Sequence, residues 1–322
     1  MRLVFMGTPD FAVPSLLALA AAGHQLIAVI TQPDKPKGRR QELAAPPVKN
    51  HGLALGLPVY QPPKVKDPDF LRVLTDLGPE LIVTAAFGQI LPGELLDIPP
   101  FGTINLHASL LPMYRGAAPI HRAVMNGDAV TGVSTMYMTE QLDAGDIILQ
   151  AALPVMPEEN TGQVHDALAV LGARLLVDTV NLIAVGQAPR RAQEQGRVSY
   201  APMLRRSDEI ISWDKPAQMV VNQIRGLNPW PGAFTTWNGR QIKISRASLA
   251  NHRPERSHSR GQPGQVARVV KGQGFVVTAG DGDGVMVWEV QPQGRGRMTA
   301  AEFVNGYPLV AGSLLGGADH GS

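Results

Sequence analysis

The sequence predicts an α/β protein with a Rossmann-like, mostly parallel sheet covered by helices on both faces. A smaller β-barrel domain of OB-like type is expected to follow it. Three observations carry this. Short, uniformly apolar runs alternate with helix-period runs through the first half, as in repeated βα units. Residues 187–208 mix Gln, Arg, Gly, Pro and Ser with few apolar anchors and read as a linker or extended arm. Beyond them, short β-rich runs are punctuated by Gly, Asp and Asn at the spacing of a small barrel or sandwich.

In chain order, residues 3–6 (LVFM) form a buried strand and 11–22 a helix stopped by Gly23. A second strand is expected over 25–30, a helix over 46–55, a short strand over 57–60 and a helix over 67–77. Residues 81–85 and 103–106 supply two more strands, 117–125 a helix, and 132–138 with 147–154 a closing strand pair. A long apolar-periodic helix over 162–185 ends this half. In parallel sheets of this kind ligands bind outside the carboxyl ends of the strands. Gly7, Gly88, Asn105 and His107 all fall at or just past such an end.

These boundaries divide the chain into a catalytic domain over 1–186, a linker over 187–208 and an OB-like domain over 209–322. In the last, 214–225 reads as a helix, and strands are expected over 234–237, 241–247, 264–270, 274–278 and 284–290. The Arg/His/Pro/Ser-rich stretch 249–264 reads as a mobile surface loop, and 316–322 as a disordered tail.

A chain of 322 residues with 44% hydrophobic content is long for one core, natural for two domains, and not disordered. It contains no cysteine, which excludes disulfides, a thiolate nucleophile and cysteine-ligated metal. The first apolar run is too short for a signal peptide, and no stretch is expected to reach the roughly 18–20 apolar residues of a membrane span. A soluble, cytoplasmic, monomeric protein is therefore the expectation. Charge is unevenly spread: residues 1–207 hold 17 Lys/Arg against 18 Asp/Glu, a net of −1. Residues 208–322 hold 12 against 9, a net of +3, a modest bias toward a polyanionic partner.

The most informative stretch is 103–120, TINLHASLLPMYRGAAPI. Asn105 and His107 stand at i and i+2 of a strand end and so share a face. Downstream, Leu142-Asp143-Ala144-Gly145-Asp146 offers a carboxylate in a Gly-containing turn. An amide, an imidazole and a carboxylate with no Ser or Cys nucleophile beside them suit direct acyl transfer rather than a covalent acyl-enzyme. Asp146 competes for the carboxylate role, but it opens the next strand, so Asp143 is preferred. A Gly-x-Gly-x-x-Gly fingerprint is absent after the first strand, which argues against an NAD enzyme. No metal-ligand cluster is visible.

Asn-x-His, then Ser109-Leu110-Leu111-Pro112, then Arg115-Gly116, with Asp143 placed 36 residues after His107, resembles the signature of the folate-dependent formyltransferases. The Met6-to-Phe11 segment (MGTPDF) and Asn228-Pro229-Trp230-Pro231-Gly232 extend the resemblance over essentially the whole chain. It is narrowest to members that formylate the amino group of methionyl-initiator tRNA. The resemblance implies 10-formyltetrahydrofolate as the donor and Asn105, His107 and Asp143 as the catalytic trio. It places pterin contacts on Ser109, Leu110, Leu111 and Pro112, and on Phe87, Gln89, Ile90 and Leu91 beside Gly88. It makes Gly7, Thr8, Pro9 and Phe11 a wall for the methionyl-adenosine end.

The basic segment with Lys35, Lys37, Arg39 and Arg40 has the composition of a flexible loop whose ordering cost a polyanion can offset. In the family such a loop reads the acceptor stem, with Arg39 or Arg40 as the probe. The family's linker usually carries a lysine soon after its Tyr-Ala. Here Tyr200-Ala201 is followed by Pro202-Met203-Leu204, so Arg205 and Arg206 must supply the cation. Three alternatives remain open on the sequence: an amino-sugar acceptor, water as acceptor, and a non-catalytic tRNA-binding module.

Overall fold

The computed structural model describes residues 1–37, 42–250 and 261–316, with the side chain of residue 37 outside the description. The chain folds into two compact units that interleave along the sequence. The first comprises Met1–Pro119, Val130–Pro154 and His165–Pro202, and the second Ile120–Ala129, Val155–Val164 and Met203–Ser322.

The elements up to residue 107 are β1 (Arg2–Gly7), α1 (Val13–Ala21), β2 (Gln25–Ile30), β3 (Lys35–Lys37), β4 (Glu42–Ala44), α2 (Pro47–Ala54), β5 (Val59–Tyr60), α3 (Pro68–Leu77), β6 (Leu81–Ala85), α4 (Gly93–Leu96) and β7 (Thr103–His107). Then come α5 (Pro119–Asn126), β8 (Val130–Tyr137), β9 (Ile147–Pro154) and α6 (Thr161–Ala184). The main sheet of the first unit runs β5-β2-β1-β6-β7-β8-β9. β5 through β7 pair in parallel, and β8 and β9 close the sheet antiparallel. The chain winds outward from β1 in one direction and restarts at β6 in the other, so the switch point lies between β1 and β6. Such a crevice is where open α/β sheets take ligands.

Local chemistry explains the elements. β1 and β6 are buried at every position from Leu3 to Gly7 and from Leu81 to Ala85, which is why they read as apolar runs, with Thr84 the one polar side chain in them. α3 starts where the Asp67 carboxylate accepts the Asp69 N–H at 3.0 Å, with Pro68 in its first turn, and stops at Gly78 in the left-handed region. On one face of the sheet, Val4, Met6, Ile30 and Ile82 pack with Leu74, Phe87, Leu91 and Leu95.

α6 is 24 residues long and, by length and composition alone, apolar enough to cross a membrane. Within the first unit its stripe of Leu168, Ala169, Ala173, Leu176, Val180 and Ile183 is buried. A Cβ at Gly172 would lie 2.7 Å from Leu106 of β7, and Thr179 Oγ1 lies 2.8 Å from Thr135 Oγ1 of β8. The hydrophobicity serves a helix laid closely on a sheet.

Two further segments of this unit differ from the sequence reading. The basic loop is rooted in a short antiparallel ribbon in which Lys35 pairs with Ala44, Pro36 with Leu43 and Lys37 with Glu42. At its base the Asp34 carboxylate receives Lys49 Nζ at 2.8 Å and Gln61 Nε2 at 2.7 Å. These bonds, Gln61 first, hold the Asp34 carboxyl below the usual carboxylate range. Second, the expected linker is a hydrogen-bonded strap over residues 191–201. Arg191 and Ile147 exchange N–H···O bonds of 2.8 and 3.0 Å, Arg115 N donates to Ser199 O at 2.9 Å, and Ala201 N donates to Arg115 O at 2.7 Å. Backbone bonding does the anchoring that apolar side chains usually signal.

The second unit holds α7 (Arg206–Glu209), α8 (Ala217–Gly226), β10 (Ala233–Trp237), β11 (Arg240–Leu249), β12 (Val266–Val270), β13 (Gly274–Thr278), β14 (Gly284–Pro292), β15 (Met298–Thr299) and α9 (Ala300–Gly306). Its antiparallel sheet runs β10-β11-β14-β13-β12, with β15 on β14. No ladder joins β10 to β12 among the described residues, so the path is open. Val220 and Ile224 of α8 join Ile244, Phe275, Val285, Val287 and Phe303 in one core. α9 and β15 escaped the sequence reading. A capping box at Thr299, whose hydroxyl accepts the Glu302 N–H at 3.1 Å, starts that helix. Residues 251–260 of the expected surface loop, and 317–322 of the expected tail, lie outside the described residues.

Candidate active site

β7 ends on His107, one residue later than expected from sequence, and delivers Asn105 and His107 to one face of the sheet. Asn105 is half-buried, and its side chain is oriented from the neighbouring strand. Thr84 of β6 lies directly across in the parallel register and donates its hydroxyl to Asn105 Oδ1 at 2.7 Å. With the oxygen engaged, the amide nitrogen is left to donate outward.

His107 is buried, at 6% exposure, with both ring nitrogens accounted for. Nε2 lies 2.9 Å from the Tyr114 carbonyl oxygen, which can only accept, so Nε2 carries a hydrogen there. Nδ1 faces Asp143 Oδ2 at 3.7 Å, within ion-pair range but beyond hydrogen-bond range. Only in the charged ring does Nδ1 carry a hydrogen, and that hydrogen is not committed to Asp143. The Tyr114 carbonyl reaches the ring because Tyr114 adopts a positive φ of 59°.

Asp143 is itself held. Its Oδ2 accepts the Gly116 N–H at 2.8 Å, and its backbone stands at φ 47°. The two glycines of the motif have local reasons. Gly116 sits at φ 116° with its α-carbon against Ala201 O, where a Cβ would come within 2.9 Å. A Cβ at Gly145 would run into Tyr137 O, so the Asp143 turn closes over the end of β8 only with glycine there. Asp146, the competing carboxylate, is 39% exposed and faces Arg190 at 3.9 Å.

The structure thus brings His107 and Asp143 together, with Asn105 two residues before His107 on the same strand face, and adds Thr84, the Tyr114 carbonyl and the Gly116 N–H, which sequence reasoning missed. Thr84 carried no signal, since a Thr in an apolar strand is ordinary. Tyr114 and Gly116 stood in the motif, but their backbone roles depend on positive φ angles that a sequence does not print.

The remaining site expectations divide. In the 109–112 turn the polar groups are used internally. Ser109 Oγ donates to Met113 O at 2.6 Å, and Ser134 Oγ donates to Ser109 O at 2.7 Å. Leu111 N donates to Ser134 Oγ at 3.0 Å, Gln150 Nε2 donates to Leu111 O at 2.9 Å, and Ser199 N donates to Pro112 O at 3.4 Å. Leu111 is buried and Leu110 packs over Gly132. The backbone oxygens of Ser109, Leu111 and Pro112 are thus occupied, and the turn braces the strand end.

In the 86–91 loop, Phe87 and Leu91 are buried in the core, and Gln89 is tied to Val65 N at 2.9 Å. Ile90 stands out at 86% exposure beside Gly88. Leu142, next to Asp143, is 60% exposed. Gly7 closes β1. Thr8 crosses the switch point to donate to Phe87 O at 2.8 Å, joined there by Gln32 Nε2 at 3.3 Å. Pro9 is exposed and Phe11 buried, its ring 5.4 Å from that of His165.

Lys35 is exposed, the Lys37 backbone lies in β3, and Arg39 and Arg40 lie outside the described residues. Arg205 and Arg206 belong to the second unit. Arg205 is exposed, while Arg206 pairs with Glu209, donates to Gln241 Oε1 at 3.0 Å and stacks on Phe234 at 4.2 Å. Among the described residues no cluster of three or more His, Cys, Asp or Glu is placed to hold a metal ion.

In the Rossmann-like sheet, β7 carries the Asn105 amide and the His107 imidazole, and the imidazole faces the looped Asp143 carboxylate. The chain belongs to the formyl transferase family: the family's formyl transferase domain matches residues 1–180 and its C-terminal domain matches residues 203–308. A methionyl-tRNA formyltransferase of Moorella thermoacetica is 57% identical over 98% of this chain and 99% of its own length. One of Pelotomaculum thermopropionicum is 52% identical over 99% of both. Among solved structures, WlaRD, a sugar 3N-formyl transferase, superposes with a TM-score of 0.66 at 18% identity, over 92% of this chain and 99% of that one. A methionyl-tRNA formyltransferase from Clostridium thermocellum superposes with a TM-score of 0.54 at 16% identity, over 78% of this chain and 94% of that one. These last two likenesses concern the fold.

Proposed function

We infer that this chain transfers the formyl group of 10-formyltetrahydrofolate to the free amino group of methionyl-initiator tRNA, giving N-formylmethionyl-tRNA for translation initiation. One observation carries the acceptor assignment. Relatives named for methionyl-tRNA match nearly end to end at 57% and 52% identity, whereas the sugar transferase shares the fold at 18%. The domain assignment proposed is catalysis in 1–186 and tRNA binding in 209–322, joined by 187–208, in a cytoplasmic monomer.

The site geometry supports the chemistry. As the neutral α-amine attacks the formyl carbon, a C–N bond forms and charge builds on the formyl oxygen. The Asn105 amide, its oxygen held by Thr84, donates to that oxygen, and the charged His107 ring adds a second donor through Nδ1. Asp143, beside Nδ1, takes the proton the amine loses, directly or through a water. The His107 ring delivers one to the folate nitrogen as the old C–N bond breaks. The exposed Ile90 beside Gly88, and the exposed Leu142 beside Asp143, offer apolar surface for the pterin. The test is a comparison of kcat/KM for methionyl-initiator tRNA, methionyl-elongator tRNA, an amino-sugar nucleotide and water. Transfer to the sugar or to water at least as efficient as to initiator tRNA would overturn the reading.

The basic segment with Lys35, Lys37, Arg39 and Arg40 is proposed to govern which tRNA is used. Replacing Arg39 and Arg40 with alanine should weaken initiator use and erode the preference over elongator. It should also flatten the salt dependence of tRNA binding by roughly one unit of log–log slope for each phosphate no longer neutralised. Folate binding should stay near wild type. Unchanged efficiency and selectivity at physiological salt would remove the segment from recognition.

A further inference from the structure

We propose that Gln193 is a positioning residue for formyl transfer, holding the Asp143 turn so that its carboxylate meets His107; this rests on the catalytic reading of His107 and Asp143 given above. Gln193 lies in the strap, 6% exposed, between the tether of Arg191 to Ile147 and that of Ser199 to Arg115. All of its side-chain capacity is used. Its oxygen accepts from Arg115 Nε at 3.0 Å and Nη2 at 2.8 Å. Its nitrogen donates to Asp143 O at 2.8 Å and to Gly145 O at 2.8 Å. The guanidinium can only donate and the two carbonyls can only accept, so the amide has one orientation.

The composition of the cluster shows what the amide is for. Arg115 is a buried cation at 5% exposure, and its guanidinium is met by a neutral amide where a carboxylate would give the stronger, charge-assisted pair. A carboxylate, however, cannot donate to Asp143 O and Gly145 O. Only a side chain with an acceptor end and a donor end joins the Arg115 loop to the Asp143 turn. The bond falls on the backbone of a residue at φ 47°, a conformation that a non-glycine residue keeps only when its surroundings enforce it. The same turn is gripped from its other side by Gly116 N on Oδ2, and Gly116 directly follows Arg115. Gln193 therefore fixes both walls between which the Asp143 carboxylate sits.

Two variants separate positioning from mere satisfaction of Arg115. Gln193→Glu keeps an acceptor for the guanidinium and removes both donors to the turn. Gln193→Asn keeps the amide but is one methylene too short to span both partners. Steady-state formylation of methionyl-initiator tRNA, with melting temperature and folate binding as controls, should show kcat reduced by about 10²-fold in each, the scale of a small misplacement of a reacting group. KM for the folate should stay near wild type. The ring nitrogen resonances of His107 should also shift in the folded Gln193→Glu protein. Wild-type kcat in either folded variant would overturn the proposal. Asp143→Ala is run alongside: if it retains wild-type kcat, the catalytic reading and this inference fall together. If it loses activity while Gln193→Glu does not, the inference alone fails.

Discussion

Replacing His107 with alanine is expected to slow single-turnover formyl transfer by about 10²–10³-fold from the loss of one transition-state donor, and further from the loss of the proton route. The loss should fall on the chemical step. His107 is almost wholly buried, and its contacts are the Tyr114 carbonyl and the Asp143 carboxylate rather than an exposed apolar surface. Folate affinity should therefore change little. The substitution removes the bond from the ring to the Tyr114 carbonyl, and a lost hydrogen bond costs about 0.5–1.5 kcal/mol, so the melting temperature should drop modestly while the fold persists. Asp143 keeps its bond from Gly116 N, which holds the turn in place for the comparison. Near wild-type single-turnover transfer by the folded variant would remove His107 from the mechanism.

The second large effect is expected at Asn105. Asn105→Ala should cost about 10²–10³-fold in transfer rate, as removal of an oxyanion donor does elsewhere. It should do so with less structural damage than at His107. The Thr84 hydroxyl, which loses Asn105 Oδ1, still has the Ile104 carbonyl at 3.1 Å to accept its hydrogen. Asn105→Asp is the sharper companion: it keeps the shape, removes both N–H donors and adds a negative charge where one develops in the reaction. It should be slower than alanine. If aspartate transfers the formyl group faster than alanine does, the side chain at 105 acts on something other than the formyl oxygen.

The parts of this molecule that are legible in the sequence are those whose chemistry is local. β1 and β6 read as strands because every residue from Leu3 to Gly7 and from Leu81 to Ala85 is buried, and α3 because Asp67, Pro68 and Gly78 mark its ends. Asn105 and His107 converge because a strand alternates by two. The hidden parts depend on pairing between distant segments. Nothing in Lys35-Pro36-Lys37 has strand composition, and the ribbon exists because its partner returns and its base is clamped by Lys49 and Gln61. The strap at 191–201 lacks apolar anchors because it is held by backbone bonds to the 112–118 loop and to Ile147 and by the Gln193 side chain. For the same reason Gln193 is invisible from sequence: a lone Gln in a polar stretch gives no sign that it lies 50 residues from one partner and 78 from the other. Conversely, the apolar length of α6 would mislead on composition alone, and only its packing on β7 and β8 explains it.

Direct passage of the formyl group from donor to amine, with no stop on the protein, is tested by isotope exchange. The wild-type enzyme is incubated with unlabelled 10-formyltetrahydrofolate and labelled tetrahydrofolate in the absence of tRNA, and label appearing in the formylated folate is measured. With Asn105 and His107 acting as donors and Asp143 as proton acceptor, no formyl-enzyme forms, so no exchange is expected until methionyl-initiator tRNA is present. Label appearing in the formylated folate without tRNA, or a formyl group recovered on the denatured protein, would contradict a direct transfer.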